Sequence, residues 1–394
     1  MASPCRAGGL ETAQLFAYNV ESKEVKPLGP GAHAMVAPSG HLIFARESSL
    51  WAARFDADRL TLASEPSPVV EGVQVNSGGL ALAAVSTNGT LVTLPGGSGP
   101  GFVVDWVSRD GARQPLLTKT QTYSRPRLSP DGQRLAVTIQ GSSGSDIWTY
   151  EIARGVMSRL TFDKGDEMSP VWLPDGRRIV FTVSDGRRRN LFWTPADGSG
   201  SAERLTTNDR DHTPFAVTND GKWLAFEEES SETKADIWVL PLTGDRKPQL
   251  FLGTPFDEYQ PTFAPDGHWI AYGSNETGRS EVHVRAFPGP GGKSQLSTNG
   301  GFLPVWSRSG REIFYLNGED MMSAPVDGQR GEIEIGVPVK LFTAPNHRGW
   351  QGYSVTADDN RFVLGMSQEV MKDRPLSITL NWTEELKAKL SPRK

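Results

Sequence analysis

Apolar residues come in short bursts along this chain, and each burst ends at Gly, Pro, Asp or Asn. Pro170-Val171-Trp172 and Ile179-Val180-Phe181 flank Pro174-Asp175-Gly176, a tight-turn sequence in which Gly supplies the positive φ. Leu191-Phe192-Trp193 follows after a polar loop, then a second turn at Asp197-Gly198, then Arg204-Leu205-Thr206. Runs this short, rich in β-branched and aromatic residues with Pro and Gly between them, read as strands. The bursts at residues 125–128, 134–137, 146–148 and 159–161 have the same order, as do those at 213–217, 223–226, 236–240 and 249–251.

The pattern recurs along nearly the whole chain. Its first turn falls at Gly40, Gly89, Gly132, Gly176, Gly221, Gly267, Gly310 and Asn360, giving spacings of 49, 43, 44, 45, 46, 43 and 50. Four strands in about 40–50 residues make one propeller blade. The expectation is an all-β chain: a single closed β-propeller of four-stranded antiparallel blades, eight by the turns, with seven as the alternative. Tryptophan keeps the same time: Trp148, Trp193 and Trp238 in third strands, Trp223 and Trp269 in second, Trp172 and Trp306 in first. Rings recurring in register are expected to fill the seams between blades.

The ends complete the picture. Residues 1–12 read as a leader, 13–382 as the propeller and 383–394 as a helix and tail, with Thr383 as N-cap and acids in the first turn. Residues 352–355 and 361–364 look like the first two strands of a blade. Two candidates compete to complete it and close the ring: the strand pair near 13–28 and the strand at 378–382.

Composition removes some classes. The net charge of −5 gives no electrostatic case for nucleic acid. The only cysteine, Cys5, excludes an internal disulfide and a thiolate metal cluster. No run reaches the roughly 18–20 apolar residues of a membrane span, and residues 1–12 lack a basic-then-apolar export signal. The chain is therefore expected to be soluble and not visibly exported, with extracytoplasmic placement open if it is part of a longer protein.

The blade motif Ser129-Pro130-Asp131-Gly132-Gln133-Arg134-Leu135-Ala136, followed by Asp146-Ile147-Trp148 and Arg159-Leu160-Thr161, resembles the TolB-type, WD-like propeller repeat. Residues 190–193, 235–242 and 287–293, with the closing Leu380-Asn381-Trp382-Thr383-Glu384-Glu385-Leu386, look most like the propeller region attached to bacterial serine/threonine protein kinases. That resemblance covers roughly residues 13–390 and implies a ring that senses or binds a partner. Kinase activity does not carry over, since no Gly-rich kinase loop, His-Arg-Asp or Asp-Phe-Gly occurs. Nor is there the Gly-x-Ser-x-Gly elbow of hydrolases that carry such propellers, because Gly141-Ser142-Ser143-Gly144-Ser145 lacks the final glycine.

Loops entering the first strands line a propeller's mouth. Here they carry Asp166-Glu167, Asp211-His212 and Asp257-Glu258. Glu167, Asp211 and Glu258 are taken as equivalent, and with His212 form the candidate catalytic set. Together with Asp166 and Asp257 they form a candidate oxygen-and-imidazole site for Ca²⁺ or Mn²⁺, able to acidify a water or polarise a substrate oxygen. The plainer alternative is that these acids hydrogen-bond backbone donors of the neighbouring blade. His33, Tyr123, Arg125, Tyr259, Phe302, His347, Trp350 and Tyr353 are further candidates for the ligand channel. Asp131, Asp175, Asp220 and Asp266 are turn formers.

Two functional readings result. The first is a binding or sensor module that recognises a protein, peptide, glycan or small molecule at the channel mouth. The alternative is a hydrolase or lyase with its site in the channel, metal-assisted and acting on a phosphoester, lactone or sugar acid. Fold alone does not choose between them.

Overall fold

The computed structural model describes residues 13–46, 49–74, 80–95, 102–141, 144–163, 165–207, 209–230, 234–328, 332–345, 347, 352–367 and 376–390. The leader expected at residues 1–12, Trp350 and the tail beyond Leu390 lie outside them. Contacts gather into two compact units, one of Met1–Gly101 with Glu369–Lys394 and one of Phe102–Gln368. The turns at 40 and 89 fall in the first unit, and the other six fall in the second.

Strands make up more than half of the described residues, with one helix among them. The second unit contains six repeats of one antiparallel meander. Sheet 1 is made of Tyr353–Val355, Arg361–Ser367, Phe102–Ser108 and residues 113–121. Sheet 2 starts on residues 122–128 of the same long strand, Arg113–Leu128, and continues through Arg134–Gln140, Ser145–Glu151 and Val156–Arg159. Sheet 3 begins at Asp166–Trp172, sheet 4 at Asp211–Val217, sheet 5 at Glu258–Phe263 and sheet 6 at Phe302–Trp306.

The pairing around Arg361–Ser367 corrects both sequence candidates. All seven of its residues pair with Phe102–Ser108. The N-terminal strands Gln14–Tyr18 and Val25–Pro30 pair with each other, and Ser377–Thr379 pairs with Leu91–Thr93. Alternating patterns specify which face a strand buries but not its partner, so the choice among competing strands rests on long-range packing.

Each first hairpin is built as the turn chemistry requires. Asp131 Oδ1 accepts hydrogen bonds from Ser129 Oγ at 2.5 Å and Gln133 N at 3.0 Å, and Gly132 sits at φ 69°. Asp175, Asp220 and Asp266 each accept from the backbone N–H two residues on.

The tryptophans do fill seams. Trp172 packs with Ala136, Ile147, Ile179 and Phe181 between sheets 2 and 3. Its Nε1 donates to Arg127 O at 2.9 Å. Trp193 packs with Val180, Leu224 and Phe226 between sheets 3 and 4, and Trp269 and Trp306 share the seam of sheets 5 and 6. Phe314 of sheet 6 meets Phe362 of sheet 1 edge-on at 5.1 Å. Full burial of each such side chain contributes roughly 1.5–3 kcal/mol.

In the first unit, Ala32–Val36, His41–Arg46 and Ser49–Asp56 form the main meander. Ile43, Leu50, Val69 and Leu91 form its core with Trp382 and Leu386 of the helix Trp382–Lys389. Thr383 is not the N-cap. That place belongs to Asn381, left-handed at φ 52° and without a side-chain cap bond. Thr383 is buried, its hydroxyl lying where a side chain at Gly89 would stand. Burial therefore decides its role over capping propensity.

Candidate functional site

The first strand of each of sheets 2 to 6 carries one extra residue against its neighbour. The register slips between Ser124 and Arg127, Met168 and Val171, Pro214 and Ala216, Tyr259 and Thr262, and Phe302 and Val305. A bulge re-aims side chains where it occurs. Arg125, Ser169, Gln260 and Leu303 lie in these bulges, each before a proline, at φ 52°, 60°, 57° and 52°. Left-handed backbone is costly for a residue with a side chain, and it gathers where structure or function holds it.

First strands and first turns of sheets 1, 2, 4, 5 and 6 line a funnel of about 260 Å³. Pro261, Leu303, Pro304, Val305 and Val355 supply apolar wall, and Arg127, Phe215, Gln260 and Tyr353 contribute polar and aromatic groups. Arg125 stacks on Phe215, with the guanidinium carbon 5.0 Å from the ring centroid. Because Arg125 belongs to sheet 2 and Phe215 to sheet 4, that side chain reaches past sheet 3.

Polar ties run from sheet to sheet between the first and second strands. Arg127 Nη1 donates to Tyr353 O at 2.7 Å, and Ser354 Oγ donates to Pro126 O at 3.0 Å. Thr182 Oγ1 donates to His212 O at 3.1 Å. Gln260 N donates to Glu227 Oε1 at 2.5 Å, and Gln260 Oε1 accepts from Leu303 N at 2.7 Å. Tyr353 Oη donates to Leu303 O at 3.0 Å.

Burial shapes the charges here. Glu227 is pushed up to about 7 by burial, against the pull of the Gln260 amide and Arg125. Arg127 is pushed down to about 10, first by burial and then by the charge of Arg125. Burial also lowers Arg125, while Glu227 raises it.

None of the catalytic and metal candidates is among the residues that line the funnel. Register makes Glu167, His212 and Glu258 equivalent, opposite Val183, Glu228 and Ser274, while Asp211 matches Asp166 opposite Glu229 and Ser184. The sequence alignment of Asp211 with Glu167 is therefore one residue out. The intervals from 167 to 212 and 258 are 45 and 46, matching the turns at 176, 221 and 267. Glu167 Oε2 accepts from Thr161 Oγ1 at 3.2 Å, and burial pushes the acid up to about 8 with help from Asp146. His212 sits between Thr206 Oγ1 and Glu228 Oε2, both at 2.9 Å, and burial lowers it despite Glu228. Glu258 bonds the hydroxyl and amide of Thr254, and burial raises it.

Asp166 accepts from Ser145 N and Asp211 from Arg189 N, both at 2.8 Å, bonds that fix the start of the preceding sheet's third strand. Asp257 takes Asn275 Nδ2 at 2.6 Å and Lys234 Nζ at 3.3 Å. Among the described residues no group of three or more His, Cys, Asp or Glu is placed to hold a metal ion.

Of the channel candidates, Tyr353 lines the funnel and Arg125 stacks on its wall. Tyr123 is buried with Leu135 and Val137, and Tyr259 lies over Gly273 and donates to Ser280 Oγ at 2.5 Å. Phe302 packs into the seam of sheets 6 and 1. His347, in the second unit, bonds Gly318 O at 3.0 Å. His33, in the first, is left-handed at φ 48°. Sequence reasoning missed Arg127, Phe215, Glu227 and Gln260. For Gln260 a signal existed, the residue before each first-strand proline.

Comparison with known proteins agrees with this architecture. The family model for the TolB beta propeller domain matches residues 97–308, more than half of the 394. A Tol-Pal system protein TolB of Anaeromyxobacter dehalogenans is 35% identical over 98 residues, covering 25% of this chain and 22% of that protein. Its counterpart in Wolinella succinogenes is 27% identical over 179 residues, 43% of this chain and 42% of that protein. The chain thus spans between a fifth and under half of the length of these curated relatives. A structure described as TolB from Agrobacterium tumefaciens superposes with a TM-score of 0.54 at 16% identity, over 69% of this chain and all of that one, a likeness of fold alone. On its repeat, its sheets and this match together, the chain belongs to the TolB beta propeller domain family.

Proposed function

We propose that this protein is a binding module that docks a protein or peptide segment into the funnel at the hub of its second unit. The observation that carries the reading is the row of bulges. Several of these first strands hold non-glycine residues in left-handed backbone, and two of these, Gln260 and Leu303, line one cavity. Such an arrangement spends stability to present side chains inward. In this reading the six sheets of the second unit form a closed ring of six blades. Pairing of Phe102–Ser108 with Arg361–Ser367 and the contact of Phe314 with Phe362 support closure. The motif likeness to kinase-attached propellers fits a sensor role within a longer protein.

The hydrolase or lyase alternative needs Glu167, Asp211, His212 and Glu258 at one opening. Their individual hydroxyl and backbone partners favour binding instead.

The test selects random peptides on the immobilised full chain and repeats the binding with Thr262→Trp and Ala357→Trp, which obstruct the funnel. Ligands that lose at least tenfold in affinity, with thermal stability unchanged, support the reading. Peptides that bind both variants as well as the parent refute it.

A further inference from the structure

In the first unit the strands Gln14–Tyr18 and Val25–Pro30 stand where the third and fourth strands of a sheet stand. They pair with each other, and the next first strand, Ala32–Val36, follows them directly. Packing agrees. In the second unit a third-strand residue shares a core with two second-strand residues of the following sheet: Ile147 with Ile179 and Phe181, Leu191 with Leu224 and Phe226, Ile237 with Ile270 and Tyr272. Leu15 is placed in the same way with Leu42 and Phe44.

The other side differs. Ser145–Glu151, Arg189–Pro195 and Lys234–Pro241 are each paired along both edges. Gln14–Tyr18 is paired along one, and its other edge has no strand among the described residues. Trp172, Phe263 and Trp306 each stand four places before a turn glycine, pack against the preceding sheet and are 7, 7 and 8% exposed. Val36 holds that place before Gly40 and is 60% exposed, while Phe16 and Tyr18 are 60% and 56% exposed.

Open edges usually carry devices against pairing. Val25–Pro30 has Lys26, Pro27 and Pro30, and the first strands of sheets 2 to 6 each have a bulge and a proline. Gln14–Tyr18 has no charge, proline or glycine. The repeat shows what fits such an edge. Opposite Trp148, Phe192 and Trp238, the counterparts of Phe16, stand Val137, Phe181 and Phe226 on antiparallel second strands. Because Leu15 lies on the second strand of the next sheet, a strand added at the open edge comes over the first, where Val36 stands. A second copy of the chain would bring its own next sheet to that place, so a free hairpin fits and a second copy does not.

We propose that the open edge of Gln14–Tyr18 accepts a β-hairpin of a partner protein, one strand of which pairs antiparallel with it and presents an apolar residue opposite Phe16. Main-chain bonds supply the affinity, and the cover over Phe16, Tyr18 and Val36 supplies the selection. The site is independent of the funnel.

The experiment follows fluorescence anisotropy of a labelled synthetic peptide of residues 166–184, the first hairpin of sheet 3, on titration with the full chain. The peptide should bind, and Phe16→Lys and Val36→Lys should each remove at least tenfold of the affinity without moving the melting temperature. Val337→Lys, at another exposed apolar residue, and Thr262→Trp, in the funnel, should leave it unchanged. Should the Phe16 variant not fold, hydrogen exchange decides: the amides of residues 14–18 that do not bond Val25–Pro30 should exchange freely in the chain alone and at least tenfold more slowly with peptide. No binding overturns the proposal, as do equal binding of the same peptide with Phe181→Pro and undiminished binding by Phe16→Lys. Protection of those amides in the chain alone means that the edge is already covered, and a dimer that Phe16→Lys dissociates means that a second copy covers it; either result overturns the partner. Loss of binding in Thr262→Trp with binding kept in Phe16→Lys moves the peptide to the funnel, so this proposal falls and docking there stands.

Discussion

Replacing Glu167 by glutamine tests how a buried carboxyl in a seam is held. Glu167 is fully buried, one oxygen meets only the Thr161 hydroxyl, and the other has no partner among the described residues. Burial first, then the neighbouring Asp146, push it from 4.5 up to about 8. A raised carboxyl favours the folded state while both states are protonated. Its contribution is complete below about pH 4.5 and is lost as pH rises through 8. At pH 7 the folded chain keeps a proton that the unfolded chain has released, which at ~1.36 kcal/mol per unit costs ~3 kcal/mol relative to acid pH. Between pH 5 and pH 9 the loss is ~4 kcal/mol. Glutamine has the same shape and never ionises, so Glu167→Gln should be more stable than the parent at pH 7 and above. Urea unfolding followed by tryptophan emission at pH 5, 7 and 9 reads the effect, with Trp172 in the same seam as Ile147 and Leu160. If the stability curves of parent and variant run parallel across that range, Glu167 is ionised in the fold and this account of the seam is wrong.

Three further outcomes follow from the same geometry. His212 is buried and its proton affinity lowered, so its contribution is present above about pH 6.5 and lost as pH falls; His212→Gln should lose less melting temperature than the parent between pH 7 and pH 5 in a differential scan. Arg109 clamps Glu312 through two bonds of 2.8 and 3.3 Å and sits over Phe314, joining sheets 1 and 6. Its partly exposed ion pair should make Arg109→Ala cost ~1 kcal/mol in urea unfolding, with Arg109→Lys intermediate. Gly89, at φ 81° and against Thr383, should not tolerate alanine: Gly89→Ala is expected to lose at least ~1 kcal/mol from the left-handed backbone alone, and hydrogen exchange should show the helix Trp382–Lys389 opening more readily.

Local chemistry made the repeat legible in the sequence. A turn needs Gly in left-handed backbone and an acid two residues before the amide it caps, so Asp131-Gly132 and its copies mark the hairpins before any fold is known. Alternation then fixes which face of each strand is buried, and the recurring tryptophans mark the seams. Tertiary structure decided what no local rule contains. It gave Arg361–Ser367 the strand Phe102–Ser108 as partner rather than either terminus, because pairing energy depends on the packed neighbours of both strands. The match of His212 with Glu167 needed no tertiary structure, since residues 167, 212 and 258 each stand nine positions before their turn glycines and the register pairs them alike. Tertiary structure also brought Arg125 over Phe215, ninety positions later and two sheets away, a contact that exists only once the sheets are packed.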